Sequence, residues 1–190
     1  MNLLTNRRLN YYCKLKNQFM PIDFSADARK DEVFNAIQQY IDEQGFEVVA
    51  KDFDRPWGGF FVLNENDADK FIASYFPGYT KAQLTIGDKL SPKFLVVAPA
   101  QRLSWQYHHR RAEIWRVLKN DIKVATSLTD EQSEPKVYHE GEVIVLQKGE
   151  RHRLIGHEAY GIVTEIWQHT DPSHPSDEDD IVRLQDDFGR

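Results

Sequence analysis

The stretch LSWQYHHRRAEIW, residues 103–115, places three side chains suited to metal binding within eight residues: Gln106, His108 and Glu113. Residues two apart on a β-strand face the same side, so Gln106 and His108 can share one face. A bend before Glu113 would return its carboxylate to the same point. A fourth side chain, His152, ends the segment GERH, which we expect on a second hairpin running from Gly141. The spacing therefore predicts a four-ligand metal site.

Two imidazoles, one carboxylate and one amide oxygen suit a borderline divalent cation. Zinc is the first expectation, and cobalt, manganese and iron are compatible with the same ligands. The neutral amide of Gln106 would leave a Zn²⁺ centre with a net charge of about plus one, which favours Lewis-acid chemistry. The competing interpretation is that His108 and His152 are ordinary surface or buried histidines and that Glu113 is a solvated charge.

The flanking residues point to a known family. The same stretch resembles the motif LSLQxHHHRAEHW of the cupin domain of type II mannose-6-phosphate isomerases. Further similarities follow in family order, namely RPWG at 55–58, HRL at 152–154, EDDIVR at 178–183 and DFGR at 187–190. Two histidines of the family motif are replaced here, by Arg110 and Ile114. The resemblance implies a mainly β, stand-alone cupin domain, a jelly-roll β-barrel with a short N-terminal helix and an inserted helix.

The same resemblance implies an activity. It suggests a metal-dependent isomerase that interconverts an aldose phosphate and a ketose phosphate, with mannose 6-phosphate and fructose 6-phosphate as the first expectation. The reaction would pass through an enediol, with proton transfer between C1 and C2, and the binding partner would be a small-molecule sugar phosphate. The alternative is a non-catalytic cupin that binds a sugar or a sugar phosphate. A cupin oxygenase is a third interpretation, against which Gln106 and the RPWG and EDDI segments argue.

Three residues are candidates for catalysis in such a reaction. Arg111 matches the arginine of the family's HRAE segment and is expected to face the substrate, although an ion pair with a nearby acidic residue is the alternative. Glu165, on a late strand, is the first candidate for the general base. His109 is the second, because strand alternation turns it away from the metal face.

Basic residues near the proposed centre are candidates for binding the substrate phosphate, because a guanidinium offers two oxygens a planar pair of donors. Arg190 matches the arginine that ends the family's tail motif. Arg110 adds a charge beside the ligands, and Lys93 is a third candidate. Arg183 ranks lower, since we expect the run IVRL to form a short helix that exposes it.

The composition bounds the class of protein. The 190 residues fit one domain with an accessory element. With 24 basic and 30 acidic side chains the net charge is −6, which does not favour nucleic acid or an anionic membrane as a partner. The single cysteine, Cys13, excludes an intramolecular disulfide and fits a reducing compartment. Because no membrane span or signal peptide is evident, we expect a cytoplasmic protein. A homodimer is compatible with the sequence.

Three segments are expected along the chain: a basic extension at 1–19, a helical element at 20–50 that packs on the barrel, and the cupin domain at 51–190. Apolar residues at helical spacing predict a helix from the N-cap Ser25 to Gly45. A second helix is predicted at 67–76 and is expected to cover one barrel mouth. Strands are predicted at 83–86, 93–98, 103–108, 114–118, 122–127, 137–139, 143–147 and 162–167.

Overall fold

The computed structural model describes residues 22–87 and 89–189. The expected basic extension at 1–19 and the phosphate candidate Arg190 lie outside the described residues. The described chain is mainly β, as predicted. Its strands are β1 Val48–Asp52, β2 Gly58–Leu63, β3 Lys93–Val97, β4 Trp105–His108, β5 Arg111–Lys119, β6 Ile122–Ser127, β7 Lys136–Tyr138, β8 Val143–Leu146, β9 Arg151–Gly156, β10 Gly161–His169 and β11 Ile181–Gln185.

The strands form two antiparallel sheets that interleave along the chain. One sheet has the order β1-β2-β3-β10-β5-β8, and the other has the order β11-β4-β9-β6-β7. Consecutive strands β4 and β5 therefore lie in different sheets, as do β8 and β9. This two-sheet architecture confirms the mainly β, jelly-roll class expected from the sequence. It also separates the proposed ligands, since Gln106 and His108 lie on one sheet and Glu113 lies on the other.

The space between the two sheets is filled by alternate residues of the strands. Trp115 and Val117 of β5 are buried there beside Val163 of β10, and Leu154 of β9 meets them from the other sheet. The alternation follows from strand geometry, in which every second side chain points to the same face. At one end of this interior the apolar residues give way to buried polar ones, and the candidate site lies there.

A second apolar core lies on the outer face of the six-stranded sheet, where helices cover it. The helices are α1 Lys30–Glu43, α2 Ala68–Tyr75 and α3 Lys81–Leu84. Phe34 of α1 stacks on Phe61 of β2 with ring centroids 5.9 Å apart. Phe71 of α2 meets Phe94 of β3 edge-on at 5.6 Å. The expectation that the second helix covers a barrel mouth is therefore wrong, because its apolar stripe packs on the outer sheet face together with α1.

Several helix, strand and domain boundaries differ between the structure and the sequence-based prediction. Helix α1 begins after Arg29 rather than at Ser25, and the backbone N–H of Arg29 donates to the carboxylate of Glu32. The segment predicted as a strand at 83–86 instead overlaps α3, because Thr80 and Gln83 cap a helical turn reciprocally. Strands β1, β2, β9 and β11 were not predicted. The expected domain boundary between residues 50 and 51 falls inside β1, which pairs with β2.

The run IVRL, expected to be a short helix, instead forms most of β11. This strand pairs with β4, so that Ile181 lies opposite His108 and Arg183 lies opposite Gln106. The pairing brings the C-terminal part of the chain to the edge of the site. No helix among the described residues is both long enough and apolar enough to cross a membrane.

Candidate metal centre

Two histidines and one carboxylate converge between the sheets. His108 ends β4, Glu113 lies on β5 and His152 lies on β9, and each is 2% exposed. Their potential ligand atoms all lie within 4.8 Å of one another. His108 Nε2 is 3.1 Å from Glu113 Oε1, and His152 Nε2 is 3.4 Å from Glu113 Oε2. Three of the four predicted ligands therefore form one buried group.

The fourth predicted ligand, Gln106, lies beside this group. It pairs with His152 across β4 and β9, so both side chains leave the sheet on the same face. Its Oε1 atom accepts a hydrogen bond from the Ser104 hydroxyl at 2.6 Å. Gln106 also borders the adjoining cavity, and an amide oxygen can accept a second hydrogen bond or bind a cation.

The protonation states suit a cation. Burial alone would raise the pKa of Glu113, but the neighbouring His108, Arg111 and His152 hold that pKa well below its usual range. Burial lowers the pKa of His152 to about 4, so its ring is neutral at pH 7. His152 Nδ1 lies 3.0 Å from the Glu150 carbonyl oxygen and donates to it when protonated, which leaves Nε2 with a free lone pair.

The facing atoms His152 Nε2 and Glu113 Oε2, and also His108 Nδ1, are buried without a hydrogen-bond partner among the described residues. A buried polar atom left unpaired costs about 1–3 kcal/mol, so such a pair indicates a missing partner. Two imidazole nitrogens and one carboxylate form a donor set that binds zinc in proteins. The residues present therefore fit a divalent metal.

Arg111 is built into this group rather than free beside it. It is 2% exposed, and its Nε atom donates to Glu113 Oε1 at 2.7 Å. Its Nη2 atom lies 3.1 Å from His108 Nε2, and its Nη1 atom donates to the Ser176 hydroxyl at 2.9 Å. The guanidinium also lies against the Trp167 ring, 3.6 Å from its centroid. Arg111 therefore forms the ion pair that was the alternative to a substrate-facing role.

A cavity opens next to the metal group and extends across the inner face of the six-stranded sheet. Its walls come from both sheets and from the segment before β2. The residues around it are Arg55, Trp57, Phe60, Lys93, Leu95, Leu103, Ser104, Gln106, Arg111, Glu113, Trp115, Glu165, Trp167, Glu178, Ile181 and Arg183. Aromatic walls with a few convergent charges are typical of small-molecule sites.

A buried carboxylate and a buried amine face each other in this cavity. Glu165 of β10 pairs with Lys93 of β3 on one side and with Trp115 of β5 on the other. Trp115 Nε1 donates to Glu165 Oε1 at 2.9 Å. Burial raises the pKa of Glu165 to about 8, and the charge of Glu113 adds to that rise. Burial lowers the pKa of Lys93, which lies 3.5 Å from Glu178 Oε1.

Two other predicted site residues lie away from the cavity. His109 directly follows β4 and is exposed; its ring meets the Tyr107 ring edge-on at 5.1 Å, and its backbone N–H donates to Asp180 Oδ1 at 3.2 Å. Arg110 donates to Asp177 at 2.9 Å and contacts the His174 ring at 2.8 Å. The charge of Arg110 is therefore compensated by Asp177, in the segment that precedes β11.

Sequence reasoning did not assign Trp167, Trp57 or Glu178 to the site. Trp167 lies two residues after Glu165 on the same strand, so strand alternation already puts both on one face. Trp57 belongs to the RPWG segment, which was noted only as a family landmark. Glu178 carries no periodic signal, since it lies in a short 3-10 turn at Glu178–Asp180 whose position depends on tertiary pairing.

His169, at the end of β10, fixes the segment that holds Arg111. The Ser176 backbone N–H donates to His169 Nδ1 at 2.9 Å, and His169 Nε2 lies 3.1 Å from the Ser91 hydroxyl. Burial lowers the pKa of His169 to about 4, and the charge of Lys89 contributes to that drop. The imidazole is therefore neutral at pH 7 and acts as a structural link.

Comparison with known proteins identifies relatives. The family model described as "Mannose-6-phosphate isomerase C-terminal" matches residues 64–186. Mannose-1-phosphate guanylyltransferase ManC of Salmonella typhimurium is 30% identical over 116 residues, 61% of this chain and 22% of that protein. Mannose-1-phosphate guanylyltransferase of Escherichia coli is 31% identical over 116 residues, 61% of this chain and 23% of that protein. The chain spans less than a quarter of these relatives.

Two solved structures match the chain at low similarity. The capsular polysaccharide assembling protein CapF from Staphylococcus aureus matches with a TM-score of 0.49 and 15% identity, covering 82% of this chain and 37% of that one. A recombinant oxalate oxidase in complex with glycolate matches with a TM-score of 0.46 and 20% identity, covering 71% and 59%.

Replacing Arg111 with methionine should destabilise the metal-free protein by about 3–5 kcal/mol, because Glu113 then loses its buried cationic partner. Urea unfolding in EDTA measures this loss. Added Zn²⁺ should narrow the difference from the wild type, since a bound cation neutralises the same carboxylate. Arg102→Met, which removes an exposed ion pair with Asp187, is the control and should cost at most about 1 kcal/mol. Equal stability of Arg111→Met and the wild type in EDTA would contradict this account.

Stability should fall as the pH drops from about 6.5 to about 4, because in that range the unfolded chain protonates His169 and the folded chain does not. His169→Gln should show a shallower fall of the free energy of unfolding across this window. His109→Gln, which changes an exposed ring, should keep the wild-type slope. Denaturant unfolding at a series of pH values measures how steeply the free energy of unfolding depends on pH in each protein. Identical slopes for the wild type and both variants would contradict the role of His169.

Proposed function

The chain belongs to the mannose-6-phosphate isomerase C-terminal family, and from that membership we propose that it is a metal-dependent aldose–ketose isomerase of sugar phosphates. Mannose 6-phosphate and fructose 6-phosphate are the first substrates to test. The observation that carries the proposal is the buried group of His108, Glu113 and His152 beside a second buried carboxylate, Glu165. Isomerisation needs both an electrophile for an oxyanion and a base for a carbon-bound proton.

His108, Glu113 and His152 would hold the metal, with Gln106 offering a fourth, neutral oxygen. When bound, a divalent cation at this point would polarise the substrate carbonyl and stabilise the developing enediolate oxygen. The surrounding apolar core keeps bulk water away, since Trp115 and Leu146 are buried close to the group. Zinc is the first candidate for the ion, and cobalt, manganese and iron are compatible with the donors.

Glu165 is the proposed general base. It lies on the cavity wall facing Lys93. Burial raises the pKa of its carboxyl to about 8. A base with a pKa near the working pH can take a proton from C2 and return it to C1 without a large driving force. Trp115 Nε1 holds one carboxylate oxygen by a hydrogen bond at 2.9 Å, so the other oxygen is the one that faces the substrate.

Lys93 is the proposed partner of this base. Its ammonium lies 3.1 Å from the centroid of the Trp167 ring, and it is 6% exposed. A lysine in such a place can donate a hydrogen bond to a substrate hydroxyl oxygen while its charge stabilises ionised Glu165. Arg111 is proposed as a positioning residue, because its guanidinium orients Glu113 and His108.

A non-catalytic sugar-phosphate binding protein is the second candidate. Arg111 favours it, because its guanidinium already contacts Glu113 Oε1 and His108 Nε2 and so compensates the buried charge without a metal. In that case the cavity would bind a sugar phosphate without turnover. Guanylyl transfer is named for relatives of which this chain spans less than a quarter, and it is outside the proposal.

Metal loading tests the ligand group directly. Elemental analysis of the purified protein should find about one divalent ion per chain, and His152→Ala should retain less than about a tenth of that. Conversion of mannose 6-phosphate to fructose 6-phosphate should be lost in the same variant. His157→Ala, which changes a histidine away from the group, should keep both metal and activity. Full metal occupancy in His152→Ala would remove this residue from the ligand set.

The base is tested by Glu165→Gln, which keeps the shape and the hydrogen bond to Trp115 but cannot accept a proton. It should lower kcat by about 10²–10⁴-fold while metal content is unchanged. In the wild type, kcat/KM should rise with pH toward about 8, because the ionised carboxylate is the active form. A cation bound at Glu113 should move this rise in kcat/KM to lower pH, because it offsets the Glu113 charge that raises the pKa of Glu165. Glu158→Gln, an exposed change, is the control, and normal turnover by Glu165→Gln would exclude the role.

A further inference from the structure

Arg183 stands apart from every other arginine that the structure describes. Each of the others forms a hydrogen bond or an ion pair with protein, such as Arg102 with Asp187, Arg110 with Asp177 and Arg153 with Gln185. Within residues 22–87 and 89–189, Arg183 forms none. Its Nε atom is buried and has no hydrogen-bond partner there. A half-buried guanidinium without a counter-charge is costly, which indicates that its partner is a ligand.

The side chain of Arg183 faces the cavity. Strand β11 pairs with β4 so that Arg183 lies opposite Gln106 and Ile181 lies opposite His108. Residues directly opposite on paired strands share a face, with Cβ atoms about 4.5–5.5 Å apart. Arg183 and Ile181 therefore point to the same side as the two proposed ligands, and both border the cavity. The guanidinium can reach a molecule that also reaches the metal group.

Other donors around the cavity also lack acceptors. Trp57 is 4% exposed and Trp167 is 7% exposed, and the indole Nε1 atom of each is buried without a partner among the described residues. An indole N–H can only donate, and no described residue supplies an acceptor to either one, so both are available to an acceptor oxygen of a ligand. Together with Arg183, the two indoles favour a ligand that is rich in acceptor oxygens and carries a negative charge.

We propose that Arg183 binds the phosphate of a sugar phosphate monoester in this cavity, with Trp57 donating to the same oxygens. The inference rests on the proposed function, in which no residue was assigned to the substrate phosphate, and it assigns Arg183 to that phosphate. A phosphate presents several acceptor oxygens and fits the planar fork of an arginine. The predicted phosphate contact Arg110 is already matched by Asp177 and borders no part of the cavity. Among the described arginines that border the cavity, Arg55 and Arg111 form ion pairs with protein carboxylates and Arg183 does not.

Binding of mannose 6-phosphate and of mannose, measured by calorimetry in EDTA on the full chain, tests this inference without any need for turnover. Arg183→Gln should weaken mannose 6-phosphate binding about 10–100-fold, because a charged hydrogen-bond partner is worth roughly 1.5–3 kcal/mol. Mannose binding should change less than about twofold. Arg183→Lys keeps the charge but not the planar pair of donors, so its affinity for mannose 6-phosphate should lie between those of the wild type and Arg183→Gln. Arg102→Gln removes an equal charge outside the cavity and should match the wild type.

Trp57→Phe keeps the aromatic wall and removes only the donor, so it should weaken mannose 6-phosphate binding about three- to tenfold. Mannuronate, which carries a carboxylate instead of a phosphate, separates the two sources of negative charge. Tighter, Arg183-dependent binding of mannuronate than of mannose 6-phosphate would overturn the assignment to phosphate. Inorganic phosphate alone should compete with mannose 6-phosphate in the wild type and not in Arg183→Gln.

The outcomes separate this inference from the proposed function. Binding of mannose 6-phosphate that depends on Arg183, without any isomerisation, would uphold the inference and end the isomerase proposal. Isomerisation with the same KM in Arg183→Gln as in the wild type would overturn the inference and leave the isomerase proposal standing. An unchanged dissociation constant in Arg183→Gln, or no binding of mannose 6-phosphate by the wild type, would also overturn it.

Discussion

The carboxylate of Glu113 is the constraint on which the rest of the site depends. It is 2% exposed and remains ionised, and a charge in that position needs compensation from close range. Arg111 supplies a full positive charge at 2.7 Å, and the rings of His108 and His152 lie within 3.4 Å of the two carboxylate oxygens. The polar end of the interior is thus organised around one negative charge. A divalent cation and a guanidinium are two ways of meeting the same requirement, and each weakens the need for the other.

The compensation extends to the C-terminal part of the chain. Arg111 is held by the Ser176 hydroxyl and the Asp177 carbonyl oxygen, and Ser176 in turn donates to Asp180 at 2.6 Å. Asp180 also accepts from the backbone N–H groups of His109 and Arg110. The segment before β11 is therefore fixed by the residues that fix Glu113. Strand β11, which carries Arg183, is placed by the same network that orients the metal group.

The sequence was sufficient where the information is local. Period-two alternation predicts that Gln106 and His108 share a face, and the alternating apolar runs predict β3, β5, β6 and β10 to within a few residues. It was insufficient where a residue's role depends on pairing between distant strands. The run IVRL is compatible with helix or strand, and only its register against β4 decides that it is a strand. The apolar stripe of α2 likewise does not say which surface it covers.

Three arginines show why motif position alone does not assign a role. Arg110 and Arg111 are neighbours in the decisive stretch, yet one is neutralised near the surface by Asp177 and the other is buried against Glu113. Arg183, far away in the sequence, borders the cavity and has no counter-charge among the residues that the structure describes. An arginine is available to an anionic ligand only when the protein has not already satisfied it. The partners that satisfy it are set by the fold, so the distinction between the three appears only once both sheets are in place.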